Sequence, residues 1–375
     1  MQEERKKILK MVEEGRLTVE EALFLIEELE KKEKTMEDKK KELITELSTT
    51  VKQDESFNSS GEYKKEGNFS GQKLHSTVDK IMDFVDSAFK KIKDFDLDLN
   101  FGQSIDITHI FQQSVTNLTQ IDIDLANGSV EVIPWDQDDV RVECAAKVYR
   151  VENQEEARKK LLAEVLFSIE GQKLIFSNQQ KWMKVDVTLY IPRVDYDKVR
   201  VRLFNGAISG ANLKATDLKA KTANGKINFE NLVAKKLETE TANGAIQVIE
   251  SHIYELEAET INGSIRTEGS FQRADLQSFS GSISCTIKNQ ACENIEVSSG
   301  TGAVELNVPV GTPVRGEFKS NLGNFKLELE GVDIIEDKSE MVQKYLRFAT
   351  REESSNPVRI FAESKTGSIS LRKSL

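Results

Sequence analysis

Histidine is nearly missing from this sequence. His75, His109 and His252 are the whole complement in 375 residues, and none lies at metal or triad spacing to a cysteine, serine or carboxylate motif. Zinc hydrolysis and Ser-His-Asp chemistry therefore lack their parts. Cysteine is as sparse: Cys144, Cys285 and Cys292 are an odd number without metal spacing, which points to a reducing compartment or to simple buried thiols. There is no P-loop and no GxGxxG following a strand, so no nucleotide cradle is visible, and neither a cofactor nor a metal is expected. Long apolar runs are absent too. The opening MQEERKKILKMVEEG is charged and lacks a secretory apolar core, and no stretch is long enough to span a bilayer. The expectation is a cytoplasmic protein that either stays free or sits at the periphery of the membrane. Basic residues number 52 against 63 acidic ones, a net charge of −11 with no dense basic patch, which excludes a general nucleic-acid binder.

What the chain does contain is repetition. VRVRLFNGAI, LKAKTANGKI, LETETANGAI and LEAETINGSI follow one another in steps of nineteen residues, placing glycines at Gly206, Gly225, Gly244 and Gly263. The period then loosens through Gly281 and Gly302 and returns at Gly367. A fixed period of this size marks a solenoid or an array. Within each unit apolar and small residues alternate with charged ones, as in Leu237, Thr239 and Thr241 against Glu238 and Glu240, which is a strand period. Each unit reads as two short strands and two corners. Asn-Gly suits one corner because glycine takes positive φ freely and asparagine tolerates the left-handed region.

Two architectures fit this unit: an antiparallel meander with one hairpin per repeat, and a parallel β-solenoid. Equivalent positions keep one residue type from unit to unit, which favours the solenoid. Ile208, Ile227, Ile246 and Ile265 would then form a buried row. Asn205, Asn224, Asn243 and Asn262 would stack as an amide ladder beside their glycines. On the outward side Arg200 and Arg202 would neighbour Lys219 and Lys221, then Glu238 and Glu240, then Glu257 and Glu259, giving a basic end and an acidic end. That face is either a solvated surface or a docking surface for a charged partner. The four glutamates are the sole constellation suggesting acid/base work or a calcium site. They are expected to stand exposed on a flat face, with neither shifted pKa values nor a water-excluding cleft.

Around the repeats the chain divides further. Residues 1–35 read as a helical hairpin, with Gly15 ending the first helix, Thr18 and Glu21 capping the second, and Leu23 and Ile26 on the second apolar face. Two such helices cannot bury a stable core alone, so the pair is expected to oligomerise or to dock on a partner, with packing against its own β domain across the polar segment as the alternative. Residues 36–76 are polar and charged and read as a flexible tether. Residues 77–95 form an amphipathic helix in which Phe84, Val85 and Phe89 belong to the apolar stripe; it suits a membrane surface or the open end of the solenoid. The fold class is thus mainly β: a parallel β-solenoid of about 19-residue coils over 96–375, carrying a helical hairpin on a tether. Its sections are an irregular N-terminal cap (96–195), regular coils (196–308) and a C-terminal cap (309–375). In the first cap EEARKKLLAEV reads as a helix and IDIDLANGSVEVIPW as a degenerate coil. In the last, SEMVQKYLRF reads as a helix or loop excursion before a closing coil.

Taken together, ILKMVEEGRLTVEEALFLIEEL, the LYIPR segment at 189–193 and the NG-x-I repeats resemble the LiaX/YvlB-type proteins of Gram-positive bacteria. The β part is similar to the adhesin-type β-solenoid domain of unknown function. This resemblance implies a non-enzymatic role in the cell-envelope stress response. Its implied partners are a membrane-bound stress-response protein and a membrane surface or membrane-active antimicrobial peptide, and it supplies no catalytic residues. A polysaccharide-binding or polysaccharide-active solenoid and a structural scaffold remain the alternatives.

Overall fold

The computed structural model describes residues 104–374 apart from 341–342 and 352–355. The expected helical hairpin, the tether and the amphipathic helix lie outside the described residues, and so do Leu23, Ile26, Phe84, Val85 and Phe89.

Strands pair in parallel, one coil on the next. β8 (Asp195–Asn205), β10 (Lys214–Asn224) and β12 (Val233–Asn243) stack with Leu218 opposite Val199 and Leu237, so a nineteen-residue step in sequence is one step along the ladder. The short strands β9 (Ile208–Ala211) and β11 (Ile227–Glu230) stack on a second face, continued by β13 (Ile246–Asn262) and β14 (Ile265–Ser280). β13 and β14 each run from the short face round into the next long face without a break. The meander is ruled out, because hairpins would pair neighbouring repeats antiparallel. Each coil combines a long strand and a short one, rather than two short strands.

The core lies between the two faces. Ile208, Ile227 and Ile246 are fully buried and Ile265 nearly so, each directly paired with the next. Valine, leucine and isoleucine fill the rows beside them, as a stack paired on both edges allows. Cys144, Cys285 and Cys292 are free thiols in this interior, and burial pushes the Cys144 and Cys292 thiols up to about 12.

The two corners divide the labour differently from the sequence reading. Positive φ occurs at the first corner in Gly128, Gly206 and Gly281, as expected of glycine there, and at the second corner in Asn212, Asn231 and Glu250, while none of the ladder asparagines adopts it. Gly225 and Gly244 are needed instead for proximity. A Cβ on Gly244 would lie 1.9 Å from the Gly225 carbonyl oxygen, and one on Gly225 would lie 1.8 Å from that of Gly206. Those carbonyls are also satisfied from the next coil: Thr222 Oγ1 donates to Gly206 O at 3.0 Å and Thr241 Oγ1 to Gly225 O at 3.0 Å. The alternating threonines, read as filling the apolar side, are thus buried hydroxyls that hold one corner to the next.

At the N-terminal end β2 (Gln120–Asn127) and β3 (Val130–Trp135) make a full coil stacked directly on β8 and β9. β4 (Asp139–Tyr149), α1 (Gln154–Glu164), β5 (Leu166–Glu170), β6 (Lys173–Asn178) and β7 (Met183–Pro192) are inserted between them in sequence but lie beyond them in space. β6 and β7 pair with β2 and β3, and β1 (Ser104–Ser114) forms the edge against β4. α1 starts where Asn153 Oδ1 accepts the Glu156 N–H at 2.9 Å, and it buries Ala157 and Leu161.

The C-terminal end interleaves. After β15 (Ile283–Ile287), β16 (Asn294–Ser299) and β17 (Val304–Val308), the next coil in sequence is β18 (Val314–Ser320) with β19 (Phe325–Glu328), yet it does not stack there. β22 (Val358–Ser364) and β23 (Ile369–Lys373) slide in between, so the expected closing coil is the last but one. The segment read as a helix or loop is a hairpin of β20 (Val332–Ser339) and β21 (Lys344–Thr350), with β21 antiparallel to β18. Packing overrides the local helical pattern: the Phe348 ring lies over Gly316, where a Cβ would come within 2.3 Å of it, and meets Phe318 edge-on at 4.8 Å.

Candidate functional site

The outward face of the long-strand sheet gathers most of the chemistry. The ladder sets Lys219 beside Glu238 and Lys221 beside Glu240, with Glu257 and Glu259 on the following strand. Lys219 Nζ is 2.5 Å from Glu238 Oε1, and Lys221 Nζ lies 3.2 Å from that same oxygen while also bonding Glu240 Oε1. Pairing continues outward in both directions. Lys236 reaches Glu257 at 3.1 Å, Arg202 reaches Asp124 at 2.6 Å, and Lys173 reaches Asp122 at 2.9 Å. Aspartates on β2 thus precede the basic band, and the face runs acid, base, acid rather than from a basic end to an acidic one.

The four glutamates are not the exposed row that alternation implied. Glu240 is 4% exposed and Glu259 7%. Strands about 4.8 Å apart carry long side chains at every level, and these shield one another from water. Electrostatics follows. Burial first, and then the hydrogen bond with Glu238, raise the Glu240 carboxyl to about 7 against the pull of Lys221. Burial also works against ionising Glu238, but the proton shared from Glu240 and the charges of Lys221 and Lys219 hold it down at about 2. Lys221 is correspondingly raised, burial being outweighed by Glu240 and Glu238, while burial lowers Lys219. The pair is an acid hydrogen-bonded to a carboxylate, able to exchange one proton near neutrality.

Sequence reasoning found Glu238, Glu240, Glu257 and Glu259 but missed that Lys219 and Lys221 convert two of them into a coupled site. The signal was present, since a nineteen-residue offset pairs KAK with ETE. Their depth was not, because alternation says which way a side chain points and not how tall its neighbours are.

The remaining sequence-derived residues are structural. Asn224 Nδ2 donates to Asn205 Oδ1 at 2.9 Å, Asn243 to Asn224 at 2.8 Å and Asn262 to Asn243 at 3.0 Å, and Asn205 donates to Asn127 at 2.8 Å. Gly206, Gly225, Gly244 and Gly263 sit beside them at the corner. His109 on β1 meets the Phe111 ring edge-on at 4.5 Å, and His252 lies on β13. Among the described residues no three His, Cys, Asp or Glu side chains come together as metal ligands, and no helix is long and apolar enough to cross a membrane.

Comparison with known proteins fits this architecture. The chain is 48% identical over its full length, and over the whole of the relative, to the uncharacterized protein YvlB of Bacillus subtilis (strain 168). Residues 3–34 match a SHOCT-like domain. Among solved structures, a candidate adhesin from Bacteroides fragilis is similar at 12% identity, covering 71% of this chain and 97% of its own, with a TM-score of 0.39. A candidate lipid-binding protein from Parabacteroides distasonis is similar at 12%, covering 72% and 97%, with a TM-score of 0.37. The Toastrack DUF4097 model matches residues 118–372, most of the chain, and the protein belongs to that family.

Proposed function

We propose that this protein is a non-enzymatic regulator of the cell-envelope stress response that works by binding. The supporting observation is the cross-coil network from Lys173 to Glu257, which fixes bands of opposite charge on one sheet face. Ionic groups already held by their neighbours lose little side-chain freedom when a partner arrives, which suits recognition of a complementary charged surface. The partner in this reading is a membrane-bound stress-response protein, captured by residues 1–35, with the protein working at the cytoplasmic side of the membrane. Residues 77–95 give a second route, to the membrane surface or to a membrane-active peptide, and self-association through residues 1–35 would multiply either contact.

Partner capture from cells treated with a membrane-active peptide tests the proposal. The intact chain should co-purify one membrane protein, and L23E/I26E should lose it while the β domain keeps its thermal transition. F84S/V85S/F89S should lower the fraction sedimenting with membranes. If neither variant alters capture, fractionation or induction of a stress reporter, the regulator reading fails and a scaffold takes its place.

A further inference from the structure

A second feature lies at the interleaved end, away from the Lys–Glu bands. A groove of about 520 Å³ opens over β18, β21 and β22, lined by Arg315, Arg347, Arg359, Glu317, Ile335 and Phe361 among others. Arg315 and Arg359 are direct neighbours across the parallel β18–β22 ladder, and Arg347 is opposite Glu317 across the antiparallel β18–β21 ladder. Three guanidinium groups and the Glu317 carboxylate therefore line the groove, and with Glu336 held by Arg347 a surplus positive charge remains there in a protein whose net charge is −11. Arg315 and Arg359 are exposed and make no ion pair among the described residues. Arg347 is held 3.3 Å from Glu336, and its buried Nε donor has no partner. Like charges on adjacent strands oppose folding, and a buried donor left empty costs more again. Neither feature serves the packing of β18, which rests on Phe318 and Phe348.

We infer that this groove binds a phosphate monoester carrying an apolar substituent. Guanidinium forks match phosphate oxygens in pairs, and a monoester near neutral pH carries about −1.5 to −2 charges, enough to offset the surplus of the lining. A carboxylate offers two acceptor oxygens to these donors where a monoester offers three. The volume is far more than inorganic phosphate fills and falls in the range of small-molecule sites. The remaining space is bordered by Ile335, which the bulge in β20 holds half-exposed, and by Phe361. An apolar group attached to the phosphate would rest there. The ligand is either a soluble organic phosphate or the headgroup of a phosphate lipid.

Calorimetry on the full chain separates these sources with three probes: inorganic phosphate, phenyl phosphate and dihexanoyl phosphatidic acid below its micelle concentration. Saturable binding that weakens with added salt is expected for at least one monoester, and R315Q/R359Q should weaken it about tenfold or more, the scale of one lost charge-assisted hydrogen bond. Both arginines are exposed, so the thermal transition should be unmoved; if it moves, R359Q alone should still weaken binding. Tightest binding of the phosphatidic acid identifies a lipid headgroup, and equal or tighter binding of phenyl phosphate a soluble ester. The inference is overturned if no probe binds saturably, if R315Q/R359Q binds as the wild type does, or if a glutamate-rich hexapeptide binds better than every phosphate. Those results would leave the regulator reading standing, because that reading depends on partner capture through Leu23 and Ile26.

Discussion

Glu240 shows how a residue read as a surface charge becomes a titrating group. Its folded pKa of about 7 lies above the ordinary carboxyl value of 4.5, so the folded protein holds this proton more tightly than the unfolded chain does. The stability it contributes is present below pH about 4.5 and is lost as pH rises through about 7. The full shift corresponds to about 3 kcal/mol, and coupling to Glu238 and Lys221 leaves about 1 to 3. E240Q keeps the neutral form at every pH. Denaturant titrations at pH about 5 and about 8 should therefore show wild type losing that amount relative to E240Q; an equal offset at both would mean that folding does not raise the Glu240 carboxyl. Glycine is tested separately. G244A drives a methyl into a backbone carbonyl that Thr241 of the same coil already holds by a hydrogen bond, and should cost about 3 kcal/mol or more in urea unfolding. Gly171 has positive φ but open space around it, so G171A should cost only about 1 to 2 kcal/mol. Equal costs would mean that the Gly225 carbonyl moves aside and that contact does not dictate this corner glycine.

Elements differed in how plainly they were written. The regular coils were legible because a parallel stack aligns identical positions: Ile227 pairs with Ile208 and Ile246, and the sequence repeats for that same reason. α1 was legible as the helical run EEARKKLLAEV, and the structure adds its cap at Asn153 and the acidic first turn of Glu155 and Glu156. The β20–β21 hairpin did not, since Leu346 and Phe348 sit in a run of mixed pattern and only the wall formed by Gly316 and Phe318 makes them a strand. The interleaved coil was equally silent, because TGSISL matches every other unit and nothing local states where in the stack it belongs. The groove was illegible for a related reason. Arg315 and Arg359 lie 44 positions apart and become neighbours only through that insertion.

At the scale of the whole molecule, β22 and β23 are what join the last coil to the rest. β18 pairs with β21 and β22, and β19 pairs with β23. A chain ending after residue 357 should thus lose more than the residues deleted. Residues 314–350 would have no strand to stack on, and limited proteolysis should cut between 309 and 357 while the coils from 120 to 308 persist. If 314–350 stays protected, then β18 can dock directly on β16 and the inserted coil is dispensable.

The same arrangement sets a clock during synthesis. The ribosome releases residues 314–328 before residues 358–373, yet the later segment has to occupy the place between the earlier one and the finished stack. At about 5 to 20 residues per second, an interval of several seconds separates them. Throughout it the β16 edge faces solvent with its amides and carbonyls unpaired, and β18 is the nearest strand able to pair with it wrongly. Early docking there would have to be undone before the chain could close. The β20–β21 hairpin, made in that interval, gives β18 another strand to hold until its proper neighbour arrives.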